Sequence, residues 1–283
     1  MNGLILPPFY SWQEFLDAAQ LPSSIRNGAS RDSSTAGTAW AGATWEEALE
    51  LARDGWHEPL EEVGLSIGAL RRLAGLSGRG PTLEPSLDVT GGEVDIAAYL
   101  SGAPECMVNA TVQQVSGRGR VISFLIPGSY LSTTPHHEVR NRGLALAALC
   151  AGIIGAGHSV EIWSSKSGEL RGAPIRSYSS VARIVSAGEP LNVGRLIFAV
   201  AHPAMLRRLW FSIWDAQPPD IARLFPPVGY GIPTDKVPGN LPSEIRDPYI
   251  FPVLRPGEPH WQSLDLALSW CHTTFTDLGL SPS

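Results

Sequence analysis

The side chains best suited to chemistry lie in one loop, residues 128–137, and at one later histidine, His202. The loop carries hydroxyl groups and two adjacent imidazoles, at Ser129, Ser132, Thr133, Thr134, His136 and His137. It follows an apolar run, and ligands of open α/β sheets bind beyond the carboxyl ends of the strands. We therefore predict a ligand-binding site at Ser129, Ser132, Thr133, His136 and His202. An anion or a peptide carboxylate at the N-terminus of the next helix would suit these residues.

The same residues also fit structural roles. Serine and threonine before a helix often cap it, and His202 is either a general base near Ser129 or a packing histidine. No aspartate follows closely enough for a triad, and Ser129 lacks the G-x-S-x-G elbow. Adjacent histidines cannot share one helix face. We therefore predict no catalytic residues, no metal ligands and no cofactor.

The elements around this loop predict an α/β fold. Residues 121–126 form a continuous apolar run, as in a buried strand. A helix capped by Thr134 follows, with Pro135 at its first position, and residues 160–163 form the return strand. Residues 181–186 and 195–200 predict two more strands. A further helix follows, from which Arg207 and Arg208 point away from the apolar stripe.

The flanking sequence predicts helices and an irregular C-terminal segment. Helices are expected at 11–18, 44–54 and 65–76, a hairpin with a Gly-Gly turn at 91–92, and a last helix at about 260–278. Residues 218–259 hold 11 of the 24 prolines, which predicts an ordered strap with one strand near 249–254.

Together these patterns predict a Rossmann-like α/β fold, with a mostly parallel central sheet and helices on both faces. Three regions are expected: an N-terminal helical extension (1–80), an α/β core (81–217), and a Pro-rich strap with a C-terminal helix (218–283).

Composition narrows the class of function. The net charge of −6 disfavours a broad nucleic-acid surface without excluding a local patch. No apolar run is long enough to cross a membrane, and no C-x-x-C pair occurs. We expect Cys150 and Cys271 to be buried thiols and the protein to be cytoplasmic. Among the nine tryptophans, Trp12 and Trp40 are candidates for anchoring a partner.

The central strand–loop–helix–strand unit resembles a von Willebrand A-type domain. Such domains carry D-x-S-x-S after the first strand, where it holds a divalent ion. Here the strand is followed by Pro127-Gly128-Ser129-Tyr130-Leu131, so Pro127 replaces the aspartate and Leu131 the second serine. Because hard cations need carboxylate oxygens, the resemblance implies a degenerate loop that does not bind metal.

The chain also resembles an uncharacterised family of bacteriophages and actinobacteria. The resemblance covers roughly residues 40–215 and rests on W-E-E-A at 45–48, A-R-D-G-W at 52–56, G-A-P-E-C-M at 102–107, N-R-G at 141–143 and H-P-A-M-L-R-R at 202–208. It implies a phage or mobile-element origin and no assigned activity.

We therefore expect a non-enzymatic protein–protein interaction module of a phage or mobile genetic element, with a protein partner or self-association. Two alternatives stay open: a metal-dependent hydrolase or nuclease, and a virion structural component.

Overall fold

The structure is a computed structural model that describes residues 3–25, 37–75, 84–91, 93–112, 119–169, 177–224 and 241–280. The strands are β1 (Gly3–Ile5), β2 (Glu84–Asp88), β3 (Glu93–Val94), β4 (Met107–Val112), β5 (Val121–Pro127), β6 (Ser159–Glu169), β7 (Ser177–Val185), β8 (Leu191–Asn192) and β9 (Tyr249–Ile250). The α-helices are α1 (Trp12–Gln20), α2 (Thr38–Ala41), α3 (Trp45–Asp54), α4 (Leu60–Leu73), α5 (Ile96–Leu100), α6 (His136–Gly155), α7 (Val193–Ala201), α8 (Phe211–Asp215), α9 (Pro219–Ala222) and α10 (Leu264–Asp277). A π-helix (Met205–Trp210) leads into α8, and a 3₁₀ turn (Pro259–Trp261) precedes α10.

The larger sheet has the order β1-β7-β6-β5-β9. Its β1–β7, β5–β6 and β5–β9 pairs are parallel, and β6–β7 is antiparallel. The α/β class and the mostly parallel sheet are thus confirmed, with one antiparallel pair. β1 and β9 come from the first and last stretches of the chain, so all three predicted regions contribute to this sheet. The three-part division itself stays a prediction.

Helix α6 is the connection between the parallel strands β5 and β6, and it is the centre of the helical layer. Fifteen of its 20 residues are buried. It packs against α4, α7 and α10, which is why its sequence is apolar around most of its circumference.

The smaller sheet has the order β2-β4-β3, and β8 also pairs with β4. β2 and β3 both pair antiparallel with β4 and not with each other. The predicted hairpin with its turn at 91–92 is therefore wrong, because β4 inserts between its two arms. Gly92 itself lies outside the described residues.

Two further elements differ from the sequence prediction. Residues 195–200 are part of helix α7 and not a strand. A short apolar run that is buried on both faces shows no hydrophobic periodicity by which a strand could be told from a helix.

The predicted cap of α6 is also different. The helix begins after Pro135 without a side-chain cap, so Thr134 does not cap it. The Thr134 hydroxyl is buried and has no hydrogen-bond partner in the described parts of the chain.

The other predicted helices are confirmed with small changes in their bounds. α1 and α3 are capped by Ser11 and Thr44, and Thr44 and Glu47 form a full capping box. α4 begins five residues before the predicted start. Cys150 and Cys271 are buried and not disulfide-bonded, as expected. The strap overlaps residues 225–240, which lie outside the described ranges, so it stays a prediction. Of its predicted strand near 249–254, β9 covers Tyr249–Ile250.

In the described ranges no single helix is both long and apolar enough to cross a membrane. Helix α7 and the helical segment Met205–Asp215 together reach that length and apolarity, but they are bent by 69° relative to each other.

The crossing of α6 over α7 leads to a stability prediction. A Cβ built on Gly143 would meet the Ala201 side chain and lie 2.9 Å from its Cα. We expect Gly143→Ala to destabilise the protein by about 1–3 kcal/mol, because overpacking outweighs the better helix propensity of alanine. The measurement is urea unfolding.

The matched control is Gly152→Ala on the same helix, where the new methyl group would lie at ordinary contact distance, 3.7 Å from Leu70 and 3.8 Å from Phe275. Here we expect a stability equal to or up to about 1 kcal/mol above that of the parent protein. Equal effects of the two substitutions would contradict the close approach of α6 and α7.

Candidate functional site

The loop of residues 128–137 leaves the sheet at the end of β5 and lies partly inside the protein. Its first residue is fixed by a hydrogen bond from the Gly128 N–H to the Ser165 carbonyl at 2.8 Å. Ser129 is buried, whereas Ser132 and Thr133 are exposed. The predicted site residues therefore divide between the interior and the surface.

Ser129 contacts a buried lysine. The Nζ of Lys166 donates to Ser129 Oγ at 3.2 Å and to the Tyr178 hydroxyl at 2.9 Å. Ser129 Oγ also donates to the Ser167 carbonyl at 3.4 Å. The Lys166 side chain is fully buried, and burial lowers its pKa from 10.5 to about 7.

A serine beside a lysine of lowered pKa is a known arrangement of nucleophile and base. Here, however, Ser129 is 2% exposed and Lys166 is 0% exposed. A cavity lined by Gly128 and Tyr130, but not by Ser129, has a volume of about 20 Å³, which is enough for roughly one water molecule. The contact of Ser129 with Lys166 links the loop after β5 to β6, and Tyr178 extends it to β7.

His136 is held by Arg207 from the π-helix. The guanidinium hydrogen-bonds to His136 Nε2 at 3.0 Å and to the carbonyl oxygens of Trp40, Leu131 and Ser132. Because arginine has no acceptor, His136 Nε2 must accept this bond and cannot be protonated while it lasts. Burial and the nearby Arg207 both lower the pKa of His136, so this imidazole is neutral and already bonded.

The prediction that Arg207 and Arg208 point away from the core is wrong. They are 1% and 4% exposed. Arg208 Nε donates to the Ala43 carbonyl at 3.1 Å, and Arg207 lies 4.8 Å from the Trp40 ring. Both cations are buried because the carbonyl groups of the N-terminal segment accept their N–H bonds.

His202 lies at the C-terminal end of α7, not at a strand-to-helix junction. The Ala204 N–H donates to its Nδ1 at 3.2 Å. Its ring meets Trp56 edge to face, with centroids 4.7 Å apart, and stacks on Phe198 at 5.4 Å. Burial, with a smaller contribution from His136, lowers the pKa of His202 to about 4. The imidazole is therefore neutral and carries its proton on Nε2.

Of the predicted site residues, His136 and His202 are therefore neighbours, whereas Ser129 is separate from them. His136 and His202 are close enough to influence each other's charge, whereas the side-chain bonds of Ser129 are to Lys166 and Ser167. In the described ranges no three His, Cys, Asp or Glu side chains are grouped to hold a metal ion. Trp12, a candidate anchor, is buried and donates to the Ala52 carbonyl at 2.7 Å.

His202 also lines an open cleft of about 560 Å³ that sequence reasoning missed. Its lining residues come from α3 and the segment after it, from Gly42, Ala43 and Gly91, and from His202; the acidic members are Glu47, Glu50, Asp54 and Glu58. The sequence does contain a signal for this cleft, because the acidic residues at positions 47, 50 and 54 share one face of a helix.

Sequence reasoning also missed Lys166, although it is one of only two lysines in the chain.

The buried lysine predicts an unusual pH dependence of stability. Its folded pKa of about 7 lies below the unfolded value of 10.5, so the unfolded chain binds more protons between these values. The contribution of Lys166 to stability therefore rises with pH across this window and is smallest at and below pH 7.

We expect the free energy of unfolding of the parent protein, measured against Lys166→Met, to rise by roughly 2 kcal/mol between pH 7.5 and 9, since a pH unit corresponds to about 1.4 kcal/mol. Urea unfolding of both proteins at several pH values measures this difference. Effects of the buried Cys150 and Cys271 are common to both proteins and cancel. Parallel pH profiles would mean that Lys166 stays charged in the folded protein.

Comparison with known proteins gives a family but no activity. No curated protein and no solved structure matches the chain. The family model described as "Domain of unknown function (DUF7192)" matches residues 2–281. Since this match spans nearly the whole sequence, the chain belongs to the DUF7192 family.

Proposed function

We propose that the protein is a non-enzymatic protein–protein interaction module that associates with a second copy of itself through α5. The observation that supports this is the exposed apolar side of that helix. Ile96, Tyr99 and Leu100 are 70%, 64% and 77% exposed, and no residue of α5 is buried. Positions i, i+3 and i+4 share one face of a helix, and we call these three side chains the α5 face.

An exposed cluster of large apolar side chains is typical of an interaction surface. Burying one such side chain contributes about 1.5–3 kcal/mol. In a twofold dimer both copies bury this face, so six side chains contribute about 9–18 kcal/mol, which is comparable with the cost of association, about 4–15 kcal/mol. The α5 face therefore supports a reversible complex better than a permanent one.

A second copy is the occupant that we propose, because closed homo-oligomers are the commonest assemblies and a twofold axis needs only one self-complementary patch. No contact among the described residues favours the metal-dependent hydrolase.

Two further inferences concern origin and ancestry. We infer that the core is a degenerate von Willebrand A-type domain and that the family belongs to phages or mobile elements. The parallel β5–β6 pair joined by α6 supports the first, together with Pro127 in place of the metal-binding aspartate. The motifs at 45–56 and 202–208 support the second.

Self-association is tested by sedimentation over a range of protein concentrations. We expect the parent protein to show a concentration-dependent dimer. Ile96→Asp with Leu100→Lys should move it to monomer, since each change places a charge in the buried contact.

The matched control is Leu266→Lys on α10, which replaces another exposed leucine, 47% exposed. We expect this variant to dimerise like the parent. A parent protein that stays monomeric at every concentration would overturn the proposal, and a dimer that survives the double substitution would place the interface elsewhere.

A further inference from the structure

The open cleft beside α3 is the basis of an inference that goes beyond self-association. Its walls come from α3, the segment of residues 55–58 and the end of α7, with Gly42 and Ala43 between them. The volume of about 560 Å³ lies within the range of ligand pockets, about 300–1,000 Å³. We call it the acidic cleft.

The charged side chains described in the lining of the acidic cleft are negative. Four carboxylates line it, and none of the described residues that line it is a lysine or an arginine. Glu47 is used by the capping box, where it accepts from the Thr44 N–H at 2.7 Å, and Glu58 pairs with Arg140 at 3.4 Å. The carboxylates of Glu50 and Asp54 have no hydrogen-bond or ion-pair partner within the described ranges, and they stand one helical turn apart, so a cation between them would contact both.

A second observation comes from His202, which also lines the acidic cleft. This ring is 8% exposed, and its Nδ1 already accepts from the Ala204 N–H, which leaves the proton on Nε2. Nowhere in the part of the chain that the structure describes does this N–H have a hydrogen-bond acceptor. A nearly buried donor at the wall of a cleft is satisfied when a ligand brings an acceptor such as a carbonyl oxygen.

A third observation shows which cation suits this wall. The guanidinium of Arg140 lies 5.5 Å from the Trp56 ring centroid. It also pairs with Glu58 at 3.4 Å and with Glu62 at 2.7 Å. The rim of the cleft therefore already holds one guanidinium by a cation–π contact and carboxylates, which is the geometry that arginine favours.

We propose that the acidic cleft binds an arginine-bearing segment of a partner polypeptide. The guanidinium would lie between Glu50 and Asp54, and a backbone carbonyl of the segment would accept from His202 Nε2–H. This is a different surface from the α5 face and involves a different ligand, because it recognises charge and a peptide carbonyl where the α5 face recognises an apolar surface.

The test is fluorescence anisotropy at low salt with a fluorescein-labelled Gly-Arg-Gly-Arg-Gly peptide. We expect saturable binding that weakens with salt and no binding of the same peptide with citrulline in place of arginine. Glu50→Gln with Asp54→Asn should weaken binding by about tenfold or more, since two charge pairs are lost. Both substitutions keep the side-chain shape on a helix surface, so the fold is retained.

Matched controls separate the cleft from general attraction by an acidic protein. Glu105→Gln with Asp277→Asn removes the same charge from exposed positions outside the cleft and should leave binding unchanged. The double substitution in the α5 face should also leave it unchanged, so failure of self-association and failure of cleft binding are distinguishable.

Three results would overturn the proposal. One is the absence of saturable binding, and another is an equal loss of affinity in the cleft and control variants. The third is competition by spermidine as strong as that by the unlabelled peptide, which would assign the cleft to small polyamines and leave no role for the peptide carbonyl.

Discussion

The burial of α6 is the constraint on which the rest of the structure depends. Fifteen of its 20 residues are buried, since it has the sheet on one side and α4, α7 and α10 around the remainder. A helix in this position needs apolar residues on nearly every side and small residues where another helix crosses closely. Gly143 at the α7 crossing is such a residue. The N-terminal helix α4 and the C-terminal helix α10 each complete a wall around α6, which explains why the family model spans almost the whole chain.

The polar interior follows from the same packing. The chain buries Lys166, Arg142 and Arg207, and each is compensated differently. Lys166 loses part of its charge, since its pKa falls to about 7. Arg207 keeps its charge and satisfies its N–H groups with carbonyl oxygens and His136. Arg142 donates to the Pro127 carbonyl at 3.1 Å and lies over the Phe251 ring, while its Nε has no partner within the described ranges. These bonds hold the backbone of the loop after β5 and two of its polar side chains, Ser129 and His136.

The sequence was sufficient to predict the α/β class, the β5–α6–β6 unit, the capping of α1 and α3, and the burial of Cys150 and Cys271. These features depend on local patterns such as capping boxes and apolar periods. It was insufficient where the outcome depends on distant partners. Residues 195–200 form a helix because their surroundings bury them on most sides. Arg207 and Arg208 are buried because carbonyls of residues 40–43, more than 160 positions away, accept their N–H groups. No local pattern carries that information, and for the same reason Ser129 was identified without Lys166.

The two proposed surfaces are connected by α7. Its N-cap Asn192 accepts from the Arg195 N–H and belongs to β8, which pairs with β4 of the smaller sheet that precedes and follows α5. Its other end is His202 in the acidic cleft. Nine residues of helix span about 13 Å, and the cleft borders both ends of α7, since the N–H of its lining residue Trp56 donates to the Gly194 carbonyl at 3.0 Å. Coupling between two sites requires an element with two arrangements. α7 is buried at eight of its nine residues, and close packing of that kind resists a second arrangement. The helix therefore holds the two surfaces at a constant separation, and their binding energies should add without cooperativity.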